Sequence, residues 1–67
     1  MLIQLNNNTL INLNQIISAT KRNYTTGTNR YGIEFLVTDS QKYEKYFEKE
    51  ETRDLFFTYL LGLKNNV

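Results

Sequence analysis

An α+β fold is what this 67-residue sequence predicts: a small antiparallel sheet of four to five strands packed by one C-terminal α-helix. Three observations carry that reading. Short alternations of apolar and polar residues recur from Leu2 to Phe47, asparagine- and glycine-bearing turns separate them, and near Glu48 to Thr52 the alternation gives way to helical spacing. The chain has no proline, no Gly/Ser linker and no repeat, so residues 1–67 read as a single domain.

The first element is a hairpin, Leu2 to Leu5 returning as Thr9 to Leu13, with Ile3 and Leu5 on one face able to meet Ile11 and Leu13. Asn6, Asn7 and Asn8 form its turn, because asparagine tolerates left-handed backbone and bonds its own main chain. Asn12 to Gln15 bends the chain into a β-branched third strand, Ile16 to Thr20. From Tyr31 to Thr38 the alternation is clearest: Tyr31, Ile33, Phe35 and Val37 share a face, and Gly32, Glu34, Leu36 and Thr38 share the other. Asp39-Ser40 makes a tight turn into Gln41 to Phe47. The lysines and glutamates of that last strand suit an exposed edge.

The helix follows. Glu48, Glu50, Glu51 and Asp54 cluster at its start, where carboxylates complement the helix dipole. At 100° per residue, Leu55, Phe56, Tyr59, Leu60 and Leu63 fall on one side, the stripe expected to cover the sheet. Phe57 and Leu61, spaced i, i+4, stack on a second side. A helix greasy on two sides is usually buried on two sides, so Phe57 and Leu61 are the expected interface of a homo-oligomer. The competing reading is that the sheet curls around the helix and covers both sides within one chain.

Composition points the same way. So short a chain buries a small share of its surface and needs a supplement to its core. With no cysteine and no histidine, neither a disulfide nor a zinc staple can provide it, and self-association is the remaining common means. The opening Met1-Leu2-Ile3-Gln4-Leu5-Asn6 has neither the basic head nor the apolar stretch of a signal peptide, and the greasy run Leu55 to Leu63 is far below a membrane span, so a cytoplasmic protein is expected.

Catalytic templates fail for want of chemistry. Histidine and cysteine, the groups best suited to proton transfer and nucleophilic attack near neutral pH, are missing, and Ser18 and Ser40 have no histidine base. Glu50 or Glu51 with Asp54 would place two carboxylates on one helical face, but Lys49 and Arg53 beside them would repel a cation, so no metal site is expected. Gly27 stands alone, without the glycine pattern of a phosphate loop, and no cofactor is expected.

One segment has binding character. Lys21-Arg22-Asn23-Tyr24 and Asn29-Arg30-Tyr31 flank a polar loop, and if the flanks pair as strands their cations and rings would gather on a ribbon. Lys21, Arg22, Tyr24, Arg30 and Tyr31 would then suit single-stranded nucleic acid or a nucleotide, rings stacking on bases and cations meeting phosphates. The bland reading is a solvated hairpin connection, since three cations are few for such a surface. The leading expectation is therefore a non-enzymatic interaction module, a homo-oligomeric accessory or inhibitor protein with a protein target; nucleic-acid or nucleotide binding is the alternative.

Overall fold

A computed structural model describes residues 1–65; positions 66 and 67 of the expected domain lie outside the described residues. The fold is α+β. Two antiparallel sheets pack against one C-terminal helix, in the order β1 (Leu2–Asn6), β2 (Thr9–Asn12), a 3₁₀ turn (Leu13–Gln15), β3 (Ile16–Asn23), β4 (Tyr31–Val37), a second 3₁₀ turn (Thr38–Ser40), β5 (Lys42–Phe47) and α1 (Glu50–Asn65).

The β1–β2 hairpin forms as its residues dictate. Ile3 stands opposite Ile11, and the Asn6 side chain accepts the Asn8 backbone N–H at 2.8 Å to close the turn. The chain then bends because Asn12 caps the first 3₁₀ turn, accepting the Asn14 N–H at 3.0 Å. That bend has a consequence for the sheet. It separates the hairpin from the remaining strands, so the strands divide into a two-stranded sheet and a three-stranded sheet ordered β3-β4-β5, and neither reaches the four or five strands expected of one sheet.

In the larger sheet, β4 is central and its alternation is the one expected: Ile33, Phe35 and Val37 are buried, Tyr31 is half-buried, and Ile33 and Phe35 lose all contact with solvent. β3 runs three residues past the expected Thr20, because Lys21, Arg22 and Asn23 find partners in Ile33, Gly32 and Tyr31. Its register slips between Ile16 and Ser18, a bulge that turns Ile17 outward. Asp39 and Ser40, both at positive φ (71° and 61°), make the turn into β5. β5 is an edge, as expected from its charges.

The inner faces close over one core of Ile3, Leu5, Ile11, Leu13, Ile16, Ile33, Phe35, Val37, Phe47 and Leu60, drawn from both sheets and the helix. Lys45 fastens the hairpin to it. From β5 its ammonium donates to the Leu5 carbonyl at 3.0 Å and lies 5.4 Å from the ring centres of both Phe47 and Phe56.

The helix begins where its acidic residues expect it to, but its orientation is different from the expected one. Leu55 and Tyr59, assigned to the covering stripe, are 65% and 55% exposed, while Phe57, assigned to the far side, is half-buried against the core. The inward positions are Arg53, Phe56, Phe57, Leu60 and Leu63, so Phe56, Leu60 and Leu63 of the expected stripe keep their place and the inward side is rotated by roughly 60° at 100° per residue. Arg53 is the physical reason. Only 4% exposed, its guanidinium donates to the Arg22 carbonyl at 2.8 Å and to the Asn23 side chain at 3.0 Å, so the end of β3 pulls this arginine inward and the helix turns with it.

Candidate functional site

Between α1 and β3, whose opposite ends meet Arg53 and Lys64 of the helix, the rotation leaves an apolar groove. Its floor is built from the buried side chains of Leu13, Ile16, Phe35 and Leu60; Ile17 and Leu61 stand on its rims, 63% and 51% exposed, with Phe57 between floor and rim. The groove encloses about 220 Å³. At its end the Lys64 ammonium donates to the Ile16 carbonyl at 3.3 Å, fixing the last helical turn to the start of β3.

Several sequence features converge here. The bulge in β3 presents Ile17, β3 lies at the end of the sheet order so that among the described residues its far side carries no strand, and Phe57 and Leu61 are brought to the same place by their i, i+4 spacing. Gly62 follows, and a Cβ built on it would meet nothing within 4 Å, so the chain's own packing does not require a glycine there. Chemically the groove accepts aliphatic or aromatic side chains. Burying one leucine-sized group in such a place contributes on the order of 1.5–3 kcal/mol.

The structure does not bring the basic and aromatic residues of 21–31 onto one surface. Lys21 is on the inner face of β3, its ammonium 3.3 Å from the Asp54 carboxylate and 5.1 Å from the Phe57 ring centre. Arg22 is on the outer face, paired with Glu34 at 3.4 Å. Tyr24 lies on that outer face too, its hydroxyl donating to the Glu44 carboxylate, its ring 5.8 Å from that of Tyr46. Tyr31 faces inward beneath Arg53, 5.5 Å from guanidinium to ring centre.

Arg30 remains in the loop, where its Nε donates to the Gly27 carbonyl at 3.1 Å and Gly27 takes the φ of 86° that the turn requires. Together with Gly27, Thr28, Tyr31, Glu48 and Lys49 it lines a shallow open hollow. Of the five residues, this hollow unites Arg30 and Tyr31, and adds Lys49 from before the helix.

Electrostatics reinforce the scaffold more than either surface. Asp54 is held below the usual carboxylate range, first by the hydrogen bond from Arg53 at 2.7 Å, against the opposing effect of desolvation, with Lys21 adding to the lowering. That engagement occupies the carboxylate considered for a cation, and among the described residues no three His, Cys, Asp or Glu side chains gather as a metal site would need. Among the described residues no helix is long and apolar enough to cross a membrane.

Three residues central to this arrangement were not singled out from sequence. Arg53 carried a readable signal, since it is spaced i, i+3, i+4 and i+7 with Phe56, Phe57 and Leu60, a cation in register with an apolar stripe. Ile17 and Lys45 carried none, because a bulge and a contact forty residues distant are settled by tertiary packing. No family model matches this chain, and no curated protein or solved structure is similar enough to count as a match.

Proposed function

We propose that the chain is a non-enzymatic interaction module, a small accessory or inhibitor protein that acts as a homo-oligomer on a protein target in the cytoplasm. The observation that supports this reading is the groove: rim residues Ile17 and Leu61, with Phe57 behind them, offer apolar surface beside a strand edge that pairs with no other strand among the described residues. Short chains without a disulfide or metal commonly gain stability from a neighbouring subunit, and apolar surface rimmed by polar residues is where such contacts form. A core built without cysteine needs no oxidising compartment to fold.

Molar mass by light scattering tests it. The mass of the parent chain should climb from 8.0 kDa toward a multiple of it as concentration rises from micromolar to millimolar, and Leu61→Asp, which places a charge on a half-exposed rim position, should hold it at one chain with its fold intact. A parent that is one chain at every concentration overturns the oligomer.

The shallow hollow favours the alternative, a nucleotide or single-stranded nucleic acid held by Arg30, Tyr31 and Lys49. Salt separates the two readings. Phosphate-driven binding weakens steeply between about 50 and 200 mM salt, whereas an apolar protein interface does not. Absence of any labelled-oligonucleotide or nucleotide binding at low salt removes the alternative.

A further inference from the structure

The segment joining β3 to β4 looks solvated in sequence, yet its first residue is held from several sides. The Tyr24 ring lies over Gly32, whose buried backbone has no side chain to obstruct it: an ideal Cβ there would stand 2.9 Å from Tyr24 Cε2, 3.3 Å from its hydroxyl oxygen and 3.2 Å from the Lys45 carbonyl. The Tyr24 hydroxyl donates to Glu44, two strands away, and its ring meets Tyr46 at 5.8 Å. Its backbone N–H donates to the Arg30 carbonyl at 2.7 Å, and Arg30 in turn donates from Nε to Gly27 at 3.1 Å. The loop is thus closed at its base and tied, through one phenol, to the far edge of the sheet.

We propose that Tyr24 is a clasp: seated over Gly32 with its hydroxyl on Glu44, it holds residues 25–29 in a single conformation and so keeps formed the hollow that Gly27, Thr28 and Arg30 line, and the loop opens when the phenol ceases to donate. Glycine at 32 is part of the device, because any side chain there would displace the ring. So is the position of Glu44, which stands opposite Glu34 in the register, leaving its carboxylate to the phenol while Arg22 takes Glu34.

The groups facing the hydroxyl set how it responds to pH. Glu44 of β5 acts most strongly, followed by desolvation, with Tyr46 of β5 adding to the effect and Arg22 of β3 opposing it, and together they push the phenol up from 10.0 to about 12. A raised folded value means the clasp's contribution is fully present below the unfolded tyrosine range and is lost as pH rises from about 10 toward 12. At neutral pH the clasp stays closed, and opening there requires removing the donor.

Amide hydrogen exchange and tyrosine-ring carbon NMR on the full chain test the clasp. In Tyr24→Phe, protection of the residue-24 amide at neutral pH should fall about tenfold, the loss of one hydrogen bond to a charged acceptor, while the Ile33 and Phe35 amides keep theirs and so report an intact fold. Gly32→Ala should loosen residues 25–29 in the same way by lifting the ring. In the parent, Tyr24 should titrate near 12; in Glu44→Gln, which retains an acceptor oxygen but no charge, it should return toward 10 with the loop still ordered. The proposal is overturned if residues 25–29 are as ordered in Tyr24→Phe as in the parent, or if Tyr24 titrates near 10 rather than near 12.

Discussion

Replacing Arg53 by methionine removes the one charged side chain buried in the described core while keeping its aliphatic stem and its helix propensity. What is lost can be counted from the geometry. Two donations, to the Arg22 carbonyl at 2.8 Å and the Asn23 side chain at 3.0 Å, disappear, and each charge-assisted bond of this kind is worth about 1.5–3 kcal/mol. The carboxylate partners change the sum little, because Glu50 and Asp54 are 58% and 43% exposed and regain water when released. Some recovery comes from burying an apolar group where a guanidinium had to be desolvated.

A net loss of about 2–4 kcal/mol follows, a large share of the roughly 3–10 kcal/mol available to a chain of this length. By circular dichroism the midpoint of thermal unfolding should fall by roughly 8–32 °C, since 1 kcal/mol moves a small domain by about 4–8 °C. Arg53→Lys should recover little, because one ammonium on a differently shaped stem cannot meet the two acceptors reached by Nη1 while also holding Asp54, as Nε does, and Glu50, as Nη2 does. A midpoint for Arg53→Met within a few degrees of the parent refutes the reasoning, since helix orientation would then owe nothing to this residue.

Other consequences follow from single sites. Ser40→Gly should raise stability by about 1 kcal/mol in urea unfolding, because Ser40 sits at a φ of 61° that glycine adopts without strain. Asp54, whose folded pKa is lowered, contributes stability that is present above the unfolded carboxylate value and lost as pH falls through the lower folded one; Asp54→Asn should flatten the acid limb of the stability–pH curve, and an unchanged limb contradicts the pairing with Arg53 and Lys21. Leu55→Lys, at a position 65% exposed on the solvent side of α1, should change the unfolding free energy by no more than about 0.5 kcal/mol. A loss of several kcal/mol there would restore the helix orientation expected from periodicity alone.

That orientation marks the limit of what the chain's pattern discloses. Elements fixed by local chemistry were readable: the Asn6-Asn7-Asn8 turn, the alternation from Tyr31 to Val37, the Asp39-Ser40 turn and the acidic start of α1 each depend on residues a few positions apart. The division into two sheets was not, because the direction in which the Leu13–Gln15 turn sends the chain is decided by how the two inner faces meet. For α1, Leu55 and Tyr59 compete with Arg53 and Phe57 for the inward side, and apolar spacing favours the former pair. The competition is settled by a carbonyl and an amide at the end of β3, about thirty residues away in sequence.

The site was partly legible for a similar reason. Phe57 and Leu61 are neighbours by helical geometry wherever the helix points, so their convergence in the groove survives the rotation. The basic segment has no such protection. Strand alternation sends Lys21 and Arg22 to opposite faces, and each then meets a carboxylate, Asp54 and Glu34, that no local pattern connects to it.

The most direct examination of the groove as the place where molecules meet is a concentration series followed through the methyl resonances of Ile17, Leu60 and Leu61. Shifts or broadening confined to Ile17 and Leu61 as concentration rises, abolished by Leu61→Asp, are what the account predicts. Methyl spectra that do not change from micromolar to millimolar, or changes centred instead on Leu2 and Leu10 of the hairpin, would contradict it.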